Sequence, residues 1–125
     1  MKINCEVSLG ELVDKITILE IKMERIKQQE KVELAKVEHT RLSSTLERLD
    51  LEGLGDLRSK LKTINEKLWT IEDDIRLKEQ ENEFDQGFID LARAVYVTND
   101  QRFEVKNSIN LRYNCEIKEV KSYKG

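Results

Sequence analysis

Six aliphatic residues, Leu57, Leu61, Ile64, Leu68, Ile71 and Ile75, follow one another at spacings of four, three, four, three and four. That ladder places every member on one face of an α-helix, whereas a strand would scatter them over both faces. It predicts a helix of about 25 residues packing along a heptad-like seam. A second ladder, Leu12, Ile16, Leu19, Met23 and Ile26, steps by four, three, four and three. Ile18 and Ile21 widen it, so this helix is expected to be central and to touch two or more neighbours. With no proline and only five glycines in 125 residues, little interrupts helical propagation. The expectation is all-α: a helical bundle of four to five helices with coiled-coil-like packing, forming a single domain over residues 1–125.

Boundary signals refine this picture. Ser8 followed by Glu11 is a capping box that opens the first helix, in which the hydroxyl accepts from an orphan N–H and the carboxylate reaches back. The first ladder carries that helix to about Gln29. Residues 31–49 form a weaker helix, and with no proline or glycine at the junction it either continues the first helix or folds back on it. Gly53 and Gly55 lie between Asp50 and Asp56, the clearest turn in the chain. The third pattern stops around Glu81–Asp85, and Phe88, Leu91, Ala92 and Val95 resume it. Thr98 and Gln101 are expected to cap a further helix containing Phe103, Ile109 and Tyr113. At the chain ends, Ile3, Cys5 and Val7 alternate with polar residues, and Cys115 to Tyr123 alternate loosely. An isolated strand is unstable, so a minor two-stranded β pairing of the N- and C-terminal segments is expected, with Cys5 and Cys115 as neighbours.

Composition excludes several functions. The longest stretch without Asp, Glu, Lys or Arg is Ala94 to Asn99, far short of the roughly 20 apolar residues that cross a bilayer. Neither a membrane span nor a signal-peptide core fits. A net charge of −3 offers no general attraction to phosphate backbones, so no nucleic-acid partner is expected. The two cysteines show no CxxC or Cys/His spacing and read as reduced, packed thiols of a cytoplasmic protein. Phosphate-cradling glycine loops and the nucleophile elbow are absent. His39 stands alone on a polar helix face, without the second histidine of a zinc site, and reads as solvated. Glu30/Glu33 and Glu47/Asp50 match the ExxE and ExxD spacings of magnesium-binding helical hydrolases, but they fall on one helix, not on two facing ones. No catalytic residue, cofactor or metal site is expected, and the balance leans away from an enzyme.

Two polar sets remain. Trp69, Glu72, Asp73 and Arg76 sit within about 100° of one another beside the long seam. A lone tryptophan on a charged flank is either covered by another helix or offered to a partner. Arg93, Tyr96 and Asp100 form a second stripe, and Arg102 and Lys106 repeat positive charge at a spacing that opposes an isolated helix. The expected counterweights are the Glu72–Asp74 cluster, Asp100, or a bound anion.

The segments from Ser8 to Lys22, Leu68 to Arg76, and Phe88 to Arg93 with Asn99 to Arg102 together resemble an uncharacterised family of small bacterial and phage helical proteins. That family is loosely associated with polysaccharide-biosynthesis proteins. The resemblance covers nearly the whole chain and implies a pattern and a setting without an activity. It singles out Asp14, Lys15, Glu20, Trp69, Glu72, Asp73, Arg76, Arg93, Tyr96, Asn99, Asp100, Arg102 and Lys106. The leading expectation is a small interaction or accessory module acting through a charged, Trp-containing flank, as a homodimer that buries apolar surface left by the seams. The alternative is a binder, or hydrolase, of a phosphorylated metabolite or sugar nucleotide in an Arg/Tyr/Asp pocket.

Overall fold

In the computed structural model, which describes residues 1–117, 120 and 121, the chain forms four helices: α1 (Leu9–Arg25), α2 (Gln29–Arg48), α3 (Gly55–Gln80) and α4 (Gln86–Arg112). Both aliphatic ladders lie on helices, the first on α1 and the longer on the 26-residue α3. α1 packs against each of the other three helices and α3 against α4, while the α2 backbone comes close only to that of α1 among the described helices. This bears out the central first helix. Leu12, Val13 and Ile16 of α1 meet Leu46 of α2, Leu61 of α3, and Val105 and Ile109 of α4 in one apolar cluster.

The chain folds back after α1. Ile26 leaves the helix in an extended conformation, φ −77° and ψ 135°, and α2 begins three residues later. The reversal ends α1 at Arg25, short of the expected Gln29. A continuous helix would hold Leu42 and Leu46 in water; folding back lets both join the apolar cluster.

The later turns use left-handed residues. The 50–56 turn contains Asp50 at φ 49° and Gly53 at φ 75°. α3 and α4 close with Asn82 at φ 54° and Asn114 at φ 52°. In each case a residue beyond the asparagine donates back into the helix, Glu83 N–H to Lys78 C=O at 2.9 Å and Cys115 N–H to Asn110 C=O at 2.8 Å. These are Schellman endings with asparagine in the position usually taken by glycine.

Two expectations are corrected. α4 runs unbroken through Thr98, which caps nothing: its side chain is buried within the helix, and the Ala94–Val97 run contains no breaker. No strand forms among the described residues. Met1–Val7 are all exposed, so the Ile3/Cys5/Val7 face meets no cover. At the other end Cys115 does not enter a ladder, and its Sγ accepts the Leu9 N–H at 3.4 Å, satisfying an orphan donor of α1. Lys118 and Tyr123 of the expected second strand lie outside the described residues. Both Cys5 and Cys115 are free thiols. Finally, no described helix is long and apolar enough to cross a membrane.

Candidate functional site

The polar centre of the molecule lies where α1, α3 and α4 meet. Asp14 is fully buried on the inward face of α1. A buried carboxylate must be matched by charge and hydrogen bonds. Arg102 supplies both: its Nε donates to Asp14 Oδ1 at 2.9 Å and its Nη2 to Oδ2 at 2.5 Å. Asn65 on α3 donates through Nδ2 to Asp14 Oδ1 at 2.9 Å and to Thr17 Oγ1 at 3.0 Å, and Thr17 donates to the Asp14 carbonyl at 2.8 Å. One carboxylate thus ties three helices together. The bidentate fork also fixes the rotation of α4 relative to α1.

One turn lower, Lys106 donates to Glu11 Oε2 at 2.8 Å. Ser8 Oγ accepts from Glu11 N–H at 3.1 Å, as a capping box requires, but the Glu11 carboxylate serves Lys106, so the reciprocal half of the expected box is replaced by an interhelix ion pair. Gly10 N–H donates to Asn110 Oδ1 at 2.7 Å. A Cβ on Gly10 would lie 2.5 Å from the Lys106 carbonyl oxygen. Only glycine permits α1 to approach α4 this closely. Arg102 and Lys106 thus find carboxylate partners in Asp14 and Glu11 of α1.

Above Arg102 opens a cleft of about 360 Å³. Ile18 and Ile21 of α1 form one wall and Leu68, Trp69, Glu72, Asp73 and Arg76 of α3 the other, with Asn65 and Arg102 at its base. Trp69 is half-buried. Arg76 donates to Glu72 at 3.2 Å across an exposed turn. A smaller recess of about 240 Å³ on the other side of Ile18 and Arg102 holds Lys15, Lys22 and Glu38.

Of the nine residues in the two polar sets read from sequence, five line one cleft: Trp69, Glu72, Asp73, Arg76 and Arg102. Lys106 belongs to the ion pair below. Arg93 and Tyr96 are exposed, and Asp100 accepts from Lys121, whose ammonium also lies 5.6 Å from the Phe103 ring centroid. Arg93, Tyr96 and Asp100 are thus apart from the cleft and do not join Arg102 in one pocket: spaced three and four residues apart, they run along the α4 face turned away from Arg102.

The sequence of the whole chain, residues 1–125, matches the pattern of a family of unknown function, DUF6165. The chain belongs to that family. No curated protein and no solved structure matches it. Within this DUF6165 fold, sequence reasoning missed Thr17, Asn65 and Asn110. Their signal was register: Asn65 falls between Leu61 and Leu68 on the seam of α3, and Asn110 follows the fully buried Ile109. A polar residue at a core position implies a polar partner.

A second cluster joins α1, α2 and α3. Glu20 Oε2 accepts from Arg58 Nη2 at 2.9 Å and lies 3.1 Å from His39 Nε2. His39 is consequently packed against Glu20, correcting the solvated reading. Burial alone would push the Glu20 carboxyl up; the hydrogen bonds with His39 and Arg58 and the nearby charges of Arg58 and Lys62 outweigh it and hold the pKa below its ordinary value.

Proposed function

We propose that this DUF6165 protein is a non-catalytic accessory module that docks a partner in the Trp69 cleft. One observation carries the reading: the cleft couples apolar walls from Ile18, Ile21, Leu68 and Trp69 with guanidinium groups already matched to carboxylates, Arg102 to Asp14 and Arg76 to Glu72. Such a site suits a partner surface better than a phosphate, which needs cationic donors that are not neutralised by acids. A cytoplasmic location belongs to the same proposal. So does a bacterial or phage setting beside polysaccharide-biosynthesis proteins, which the motifs imply.

The test is a photo-crosslinking residue placed at position 73 in cells. A discrete adduct, lost on Trp69→Ala and absent with the probe at position 104, supports docking. Thermal shift with millimolar sugar nucleotides, nucleotides and Mg²⁺ should leave the Tm unchanged. A rise of several degrees with any of them, without an adduct, overturns docking in favour of a metabolite pocket.

A homodimer is proposed through α2, where Leu34 and Val37 are exposed. Four acids and four bases on that helix impose no net charge on self-pairing. Light scattering should give twice the chain mass, and Leu34→Lys should return the monomer.

A further inference from the structure

The faces of α3 and α4 that grip α1 do not stop where α1 stops. On α3, Asn65 is followed at four, three and four residues by Trp69, Glu72 and Arg76; on α4, Arg102 is preceded at seven, eleven and fourteen residues by Val95, Leu91 and Phe88. These spacings continue the two faces that meet Asp14. α1 ends at Arg25, whose Nη1 reaches Thr70 Oγ1 at 3.3 Å. Beyond that level α3 runs on to Gln80 and α4 begins at Gln86, so the hairpin overhangs α1 by about 15 Å at 1.5 Å per residue. No residue from 72 to 97 is buried, while Phe88, Leu91 and Val95 are half-buried. Among the described residues the slot that α1 fills in the body thus continues upward without a third helix, with Trp69 at its lower end.

Charge selects the occupant. Residues 72–97 carry eight acids against Arg76, Lys78 and Arg93. A second copy presenting the same overhang would set net negative charge against net negative charge. A helix with an apolar stripe flanked by lysine or arginine would bury Leu91, Val95 and Trp69 while facing Glu72, Asp73 and Glu79. We infer that the overhang of the α3–α4 hairpin receives a basic amphipathic helix of about three turns from a partner protein, laid end to end with α1. This rests on the Trp69 cleft being a docking site and specifies what docks there.

Trp69 is the only tryptophan, so its emission reports the slot directly. The probes are two synthetic helical peptides of about 14 residues, matched to the slot length, with leucines at i, i+3, i+4 and i+7 flanked by lysines in one and by glutamates in the other; a scrambled lysine peptide is the control. The lysine peptide should blue-shift Trp69 and bind at least about tenfold more tightly than the other two, weakening as salt rises. Glu72→Lys with Asp73→Lys should reduce its affinity about tenfold, Leu91→Lys should abolish binding with helix content retained by circular dichroism, and Tyr96→Ala should change nothing. Equal binding of the scrambled peptide, or insensitivity to both the charge reversal and Leu91→Lys, overturns the inference. Tighter binding of the glutamate peptide overturns the basic partner yet leaves docking at Trp69 standing. A dimer mass that Leu91→Lys halves assigns the slot to a second copy and overturns the partner helix. If no peptide moves Trp69 and the position-73 crosslink is also absent, docking itself falls.

Discussion

Below the level of Thr70 three helices surround Asp14, and side chains such as Val13, Ile16, Leu61 and Ile109 are fully enclosed. Above it two helices lie side by side and nothing between residues 72 and 97 is enclosed. The same two helices build both halves, with seams of similar aliphatic content. What differs is the third helix, and with it the burial that turns an aliphatic seam into stability. The lower half holds the fold together, and the upper half leaves its inward faces open.

If that contrast is right, the largest effect belongs to Arg102→Ala. It leaves the Asp14 carboxylate buried without a counterion and should cost about 3–5 kcal/mol in urea unfolding. A loss below about 1 kcal/mol would mean that the lower half does not depend on its ionic centre. Gly10→Ala comes next. Its methyl would press on the Lys106 carbonyl from 2.5 Å, and the forced shift between helix backbones should cost about 1–3 kcal/mol.

Glu20→Gln sharpens the contrast within the lower half, at about 1 kcal/mol near neutral pH. Because the folded Glu20 pKa is depressed, its stabilising contribution is complete above the ordinary carboxylate pKa of about 4.3 and is lost as the pH falls through the lower folded value. Thermal melts from pH 6 downward should therefore bring the variant and the parent together in acid. Smallest is Arg76→Ala in the overhang, where the exposed i,i+4 pair with Glu72 predicts a change of only a few tenths of a kcal/mol. A larger loss there would break the distinction between the halves.

The aliphatic ladders made the helices of the body legible, because a spacing of three and four has no counterpart in a strand. The ladder alone did not reveal that the upper part of α3 lacks a third helix: Ile75 repeats the seam as faithfully as Leu61, yet only Leu61 is fully enclosed. The number of neighbours at each height depends on where α1 ends, and the α1 ladder runs to Ile26 without marking the turn. Thr98 looked like a cap because a hydroxyl before a helix and a hydroxyl inside one share a local sequence. The terminal strands were inferred from alternation, which predicts a face but supplies no partner for it. In the site, Trp69, Glu72, Asp73 and Arg76 were legible as a group because they share one helix face. The Asp14–Arg102 pair spans 88 residues of chain, and no local pattern joins its members. Asn65, as a polar group within a seam, was the available clue.

The missing side chain at Gly10 has a consequence at the opposite end of α1. A helix of 17 residues is a rod about 25 Å long, and a rod pinned against the Lys106 carbonyl cannot slide without colliding with backbone. Where it terminates is then set by where it is pinned. The aperture beside Trp69 is in this sense gauged from the far end of the rod, by the absence of a single methyl group.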